Sequence, residues 1–259
     1  MIEYLSVAEA RRRAGLRLVL TAGVPGPWGE SAKAVLNARK VRYLPVAQAA
    51  MAANEELQAW TGHRNAPIAC LDDEPPLTAW LDILLLAERL GRGPSLIPES
   101  ERDRVLCLGH ITEIAGTDGF GWNRRIELMA GYLNGEADAD DAPADMLPHM
   151  KTYGVTQESI ARAPGRMAAI LGALAERLRS QQAAGSDYFI GTDLSALDLY
   201  WACFSMMVRP LPQDINPMPD WLRPLYSGCD ETVVAAIDPI LIAHRDHIYQ
   251  RHIGLPLEY

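Results

Sequence analysis

The sequence predicts an α/β domain followed by an all-helical domain, and three features carry that prediction. Residues 16 to 90 alternate short apolar runs with amphipathic ones, the order of a layered α/β unit. Residues 91 to 100, GRGPSLIPES, interrupt the alternation with two glycines and two prolines and read as a linker. Beyond them the apolar residues fit a helical period better than an alternating one. The expected boundaries are a first domain over 1–91, a linker over 92–98 and a helical domain over 99–259.

Each element has its own signal. Ser6 and Glu9 stand at capping-box spacing and predict a short helix ahead of the first strand. LRLVLTA (16–22) reads as a buried strand, and ESAKAVLNARK (30–40) as a helix with Ala32, Val35 and Leu36 inward. VRYLPV (41–46) is a second strand, AAMAANEELQAW (49–60) a second helix and PIACL (67–71) a third strand. After the acidic turn DDEPP, TAWLDILLLAERL (78–90) is a long helix with Leu81, Leu84, Leu85 and Leu90 on one stripe.

The second half offers helical signals at 99–116, 123–133, 164–181, 194–208 and 238–252. The last is punctuated by Asp238 at the N-cap, Pro239 at the first helical position and Gly254 past the end. Residues 135–148, GEADADDAPADMLP, are acidic and proline-bearing and read as an exposed insertion or a lid.

Composition narrows the class. Of 259 residues, 49% are hydrophobic and 22% charged, as in an ordinary globular protein. No apolar run approaches the ~20 residues of a membrane span, and the N-terminal segment lacks the form of a secretory leader. A formal charge of -9 argues against nonspecific nucleic-acid binding. Cys70, Cys107, Cys203 and Cys229 form no CxxC pair, which predicts reduced thiols in a cytoplasmic protein acting on a small molecule.

One stretch poses the functional question. GVPGPWGESAKAVL (23–36) carries a strand through a proline turn into a helix whose first amides face the turn. Such a helix start holds anions. Yet the turn has no cysteine, histidine or tyrosine, and its hydroxyl, Ser31, comes late.

Four features in register resemble the cytosolic glutathione transferases. They are Pro27-Trp28 at the first turn, Ala66-Pro67 entering a strand, the run LAERLGRGPSLIPESERDR, and FIGTDLSALDLYWA with its Ser195/Asp198 capping box. The resemblance implies a thioredoxin-like domain plus a helical-bundle domain, a homodimer, and glutathione as co-substrate with no metal. Ser195 and Asp198 are read as structural, since a side chain at the N-cap and another three residues on satisfy orphan amides.

The same resemblance assigns sites. A cis bond before Pro67 would turn the main chain of Ala66 outward to pair with the cysteinyl unit of the tripeptide. The family's Glu-Ser pair for the γ-glutamyl end falls on Leu77-Thr78, so Thr78 keeps a hydroxyl while Leu77 lacks the acid. Asp72, Asp73 or Glu74 are the alternatives for the ammonium. Arg64 or His63 meets the glycyl carboxylate. Gly26 stands where other members carry the serine or cysteine that contacts the sulfur.

The activating groups are then the amides of Trp28, Gly29 and Glu30, with Ser31 or Thr21 as possible hydroxyls, Trp28 as an apolar wall, and Glu30 turned to solvent. Ile111, Glu113, Trp122, Arg124 or Arg125, Tyr200 and Phe204 are expected to line the site of a small apolar electrophile, with Gly119 and Gly121 leaving room beside Trp122. His244 and His247 share a helix face, but neighbouring charges favour a solvated surface over a metal site. The resemblance thus implies a transferase using a ligand-borne thiol, and Gly26 and Leu77 keep a non-catalytic binding module as the alternative.

Overall fold

The first strand, β1 (Leu16–Thr21), is buried almost throughout because it is covered on both faces. Its even positions, Leu16, Leu18 and Leu20, face the main core. Val19 faces a smaller core with Val46, Leu57, Ile68 and Cys70. Arg17 lies on that second face too. Its guanidinium spans the carbonyls of Arg13 (2.6 Å) and Asp72 (2.9 Å) and stacks over Trp60. Alternation of side chains about the strand thus sorts one segment into two cores.

The computed structural model describes residues 2–134 and 146–259. Strand β1 is central in a three-stranded sheet of order β2-β1-β3. It runs parallel to β2 (Leu44–Gln48) and antiparallel to β3 (Ile68–Leu71), with Val19 opposite Val46 and Leu18 opposite Ala69. Leu77 adds one further pairing on the outer edge, exchanging both main-chain hydrogen bonds with Ala69 at 2.8 and 2.9 Å.

Before the sheet, α1 (Val7–Ala10) carries the expected capping box between Ser6 and Glu9. The connecting helices are α2 (Pro27–Ala38), α3 (Glu55–Thr61) and α4 (Trp80–Leu90). Three expectations shift here. Helix α2 starts at Pro27 rather than Glu30, since proline suits a first helical position. Residues 49–54 form a turn instead of helix, with Met51 and Asn54 at positive φ and the Asn54 amide bonded to the main chain of Ala49 and Ala52. On α4 the buried face is Ile83, Leu84, Leu86 and Ala87, while Leu85 is 41% exposed.

The helical half contains α5 (Glu101–Ala115), α6 (Phe120–Asn134), α7 (Met146–Tyr153) and α8 (Gln157–Ala183). After them come α9 (Ala196–Ser205), α10 (Leu222–Ser227), α11 (Glu231–Ala236) and α12 (Pro239–Ile248), the last ending in a π-helical turn before Gly254. Helix α8 starts seven residues before Pro164, because Thr156 and Ser159 cap each other's amides. The expected acidic insertion falls largely on 135–145, outside the described residues, and Met146 already begins α7.

Helix α9 is buried along its whole length and joins the two halves. Leu197 and Phe204 belong to the same apolar cluster as Leu18, Leu20 and Val35. At its start, Asp198 accepts from the Ser195 amide (2.8 Å), the Ser195 hydroxyl (2.6 Å) and the Phe189 amide (2.9 Å). The His244 ring on α12 packs beside it, its Nε2 3.0 Å from the same carboxylate and its Nδ1 3.0 Å from the Asp187 carbonyl. His244 is therefore a buried structural partner and not part of a solvated face. No group of metal-ligating side chains exists among the described residues.

Candidate active site

A cleft of about 980 Å³ opens between the sheet edge and the helical half. Its floor is the N-terminus of α2. Gly26 is the N-cap, with φ -72° and ψ 123° and no side chain to cap the helix. Pro27 has no amide hydrogen, and the Glu30 amide donates to the Gly26 carbonyl at 2.9 Å. The amides of Trp28 and Gly29 are the two orphan donors left at this helix start. The expected trio is thus reduced to a pair.

One side of the cleft is the chain entering β3. The peptide bond between Ala66 and Pro67 is cis, as the resemblance implies. Among the described residues, no main-chain group pairs with the amide or carbonyl of Ala66. His63, Arg64, Ala66, Pro67 and Thr78 all line the cleft. Thr78 directly precedes Ala79, the N-cap of α4. Leu77 does not line the cleft, since its main chain is paired with Ala69 and its side chain packs on the core. Nor do the acids of the neighbouring turn: Asp72 accepts from the Gly15 amide at 2.6 Å, and Glu74 pairs with Arg89 at 2.5 Å.

Trp28 ties the two halves together. Its Nε1 donates to the Ala115 carbonyl at the end of α5 (2.9 Å), and its ring meets Phe204 edge-on at 4.9 Å. The packing explains Gly121. A β-carbon there would collide with the Phe204 ring and lie 3.0 Å from the Trp28 ring, so the glycine seats aromatic rings rather than leaving room for a ligand. The site of a side chain at Gly119 is taken by the carbonyls of Glu113, Gly116 and Thr112. Gly26 is the opposite case, with nothing within 4 Å of a β-carbon.

Other expected residues lie elsewhere. Ser31 is buried, with its hydroxyl on the Trp28 carbonyl at 3.0 Å. Ile111 is fully buried in the core. Glu113 binds Arg166 at 2.6 Å away from the cleft. Tyr200 is buried, its hydroxyl donating to the Trp80 carbonyl at 3.1 Å. Trp122 lines the cleft, held by a bond from Nε1 to the Tyr153 carbonyl at 3.0 Å. Thr21 also lines it, though its hydroxyl is bonded to Gln48 at 2.8 Å.

Glu30 reverses its expectation. Only 15% of its side chain is exposed, and Lys33 holds its carboxylate at 2.9 Å. Burial pushes its carboxyl up, and the Lys33 ammonium offsets that in part. The thiols of the chain are unsuited to attack. Burial pushes Cys70 and Cys107 up to about 11, and raises Cys203 and Cys229 as well. Pairing, burial or solvent orientation decides each of these positions, and a linear sequence carries little signal for any of them.

No protein-family model and no curated protein sequence matches this chain. Solved structures do. A glutathione S-transferase from Methylobacterium radiotolerans, in complex with glutathione sulfonate, aligns over 92% of both chains with 14% identity and a TM-score of 0.60. This chain has the glutathione transferase fold. A glutathione transferase family member from Pseudomonas fluorescens with two glutathione bound aligns over 95% of this chain and 94% of its own, at 13% identity and a TM-score of 0.60. Glutathione transferase Omega 3C from Trametes versicolor covers 95% of this chain and 89% of its own, at 13% identity and a TM-score of 0.58. The fold is thus a thioredoxin-like domain with a helical domain, and the cleft lies where the two meet.

Proposed function

We propose that the protein binds glutathione along the Ala66 edge and presents its thiolate to a small apolar electrophile. The observation that carries this reading is the pairing of an unused main-chain edge at Ala66 with two unused amides at the start of α2, both on one cleft. The tripeptide's cysteinyl unit adds to the Ala66 edge as a short strand. Its γ-glutamyl carboxylate goes to the Thr78 hydroxyl and the first amides of α4. The glycyl carboxylate goes toward His63 and Arg64. Gly26, Pro27 and Trp28 form the seat for the sulfur.

Activation is modest by this arrangement. Lowering a thiol of pKa ~8.5 by two units takes about 2.7 kcal/mol. A helix N-terminus supplies about 0.3–1 kcal/mol, or up to about 2 when partly buried. The Trp28 and Gly29 amides therefore carry a large part of the stabilisation and not all of it. In conjugation the thiolate forms a carbon–sulfur bond, and the leaving group departs with the electron pair of the bond it loses. No thiol of this chain is needed, in keeping with their raised pKa values.

The reading carries a cytoplasmic homodimer with it. Leu85 on α4 and Val105 on α5, 41% and 68% exposed, are apolar residues that a second copy would cover. Retention on immobilised glutathione, followed by turnover of a generic aryl halide, tests the function. Retention with turnover is the expected result. Failure to be retained removes glutathione, and retention without turnover leaves a binding module.

A further inference from the structure

The helical side of the cleft holds a cation that the glutathione reading does not use. On α6, Gly121 and Arg125 are one turn apart on the same face. Gly121 packs on Trp28, and Arg125 sets its guanidinium carbon 5.9 Å from the centre of the Trp28 ring. Arg125 lines the cleft, its Nε is buried without a hydrogen-bond partner, and among the described residues no carboxylate pairs with it.

The adjacent arginine shows what a structural role looks like. Arg124 bonds the carbonyls of Met207, Leu225 and Gly228 and pairs with Glu127. Arg125 has no such set. Beside it, Tyr226 is 1% exposed and lines the same cleft, and its hydroxyl is also buried without a partner among the described residues. Two polar groups are thus left unsatisfied on one wall, where each carries a desolvation cost until something pairs with it. The surroundings are apolar and aromatic: Trp122, Leu128, Met129 and Tyr153. The one acidic residue among those lining the cleft in the described structure is Glu30, whose carboxylate is held by Lys33 at 2.9 Å.

We propose that this wall seats the carboxylate of an acidic co-substrate, a small aromatic or alkenyl carboxylic acid, on the Arg125 guanidinium with the Tyr226 hydroxyl as a second donor. The proposal rests on the reading that glutathione fills the other half of the cleft, and it narrows the electrophile to that class. A planar guanidinium matches a carboxylate in two parallel hydrogen bonds, and the ring walls take up the unsaturated body. The apolar character expected of the electrophile is kept for its reacting end.

The test uses the full-length protein and a matched pair of probes, cinnamate and the neutral cinnamamide. Quenching of the cleft tryptophans, Trp28, Trp122 and Trp221, reads their binding. Cinnamate is expected to bind at least about tenfold more tightly than cinnamamide, the advantage of a charge-assisted bond. Arg125→Met should bring the ratio near one, and Tyr226→Phe should lower it by a smaller factor. Equal binding of the two probes to the wild type overturns the proposal whether or not the variants fold. So does a preference that survives Arg125→Met, or Arg125→Gln if circular dichroism shows the methionine variant unfolded.

Calorimetry with glutathione, run separately on the wild type, keeps the two readings apart. Acid preference without glutathione heat keeps the carboxylate seat and removes the conjugation reading. Glutathione heat without acid preference does the reverse.

Discussion

Replacing Gly26 with serine asks directly whether the sulfur sits at the start of α2. The backbone there, φ -72° and ψ 123°, is open to any residue, and a β-carbon meets nothing within 4 Å. Serine at an N-cap in place of glycine changes stability by only a few tenths of a kcal/mol, so the melting temperature should barely move. At an N-cap the new hydroxyl oxygen accepts from the Trp28 or Gly29 amide, and its own hydrogen is left to donate to a thiolate bound at this turn. A hydrogen bond to a charged group is worth about 1.5–3 kcal/mol, and at 1.36 kcal/mol per unit this lowers the bound thiol's pKa by about 1–2 units. The ultraviolet absorbance of the thiolate, titrated against pH at saturating protein, measures it. The wild type should hold the bound thiol below ~8.5 by about a unit, from its two amides alone. Gly26→Ser should take it lower still. If the variant binds glutathione as the wild type does and its thiol titrates at the same pH, the sulfur is not at this turn.

Further outcomes follow from the packing and the ionisable groups. Gly121→Ala forces a methyl into the Phe204 ring and should destabilise by about 1–3 kcal/mol, whereas Gly172→Ala, inside α8 with nothing within 4 Å, should stabilise by about 0.5–1 kcal/mol. Thermal melts of the two should move in opposite directions. Asp198→Ala strands the buried amides of Phe189 and Ser195, so a loss of about 2–6 kcal/mol is expected in urea unfolding. Cys70 and Cys107, pushed up to about 11 in the folded chain, bind their protons more tightly than in the unfolded one. Their contribution is therefore complete below the unfolded thiol pKa of ~8.5 and is lost as pH rises toward 11. Urea midpoints should fall between pH 8 and pH 10, and a rise would contradict the burial of these thiols.

The fold was legible where signals are local. The capping pairs Ser6/Glu9 and Ser195/Asp198 and the Asp238-Pro239 start of α12 all follow from spacing in the chain. The buried apolar run of β1 and the inward set Ala32, Val35 and Leu36 follow from the apolar pattern. What escaped was tertiary. The exposure of Leu85 depends on which neighbour covers α4.

Within the site, the α2 turn and Trp122 follow from the residues themselves, whereas the cis bond before Pro67 and the place of Thr78 follow from the family resemblance. The burial of Glu30 has no local sign, since a first-turn acid reads the same whether it meets solvent or the protein interior. Ile111 and Tyr200 were misplaced because core and cleft apolars share one helical period. Tyr226 sits on a six-residue helix that follows a proline-rich segment, too short to carry a periodic signal.

A crystal soaked with glutathione would locate the sulfur. It should lie within hydrogen-bonding reach of the Trp28 and Gly29 amides, with the cysteinyl main chain against Ala66. A tripeptide bound with its sulfur turned away from α2, or bound outside the cleft, would contradict that placement.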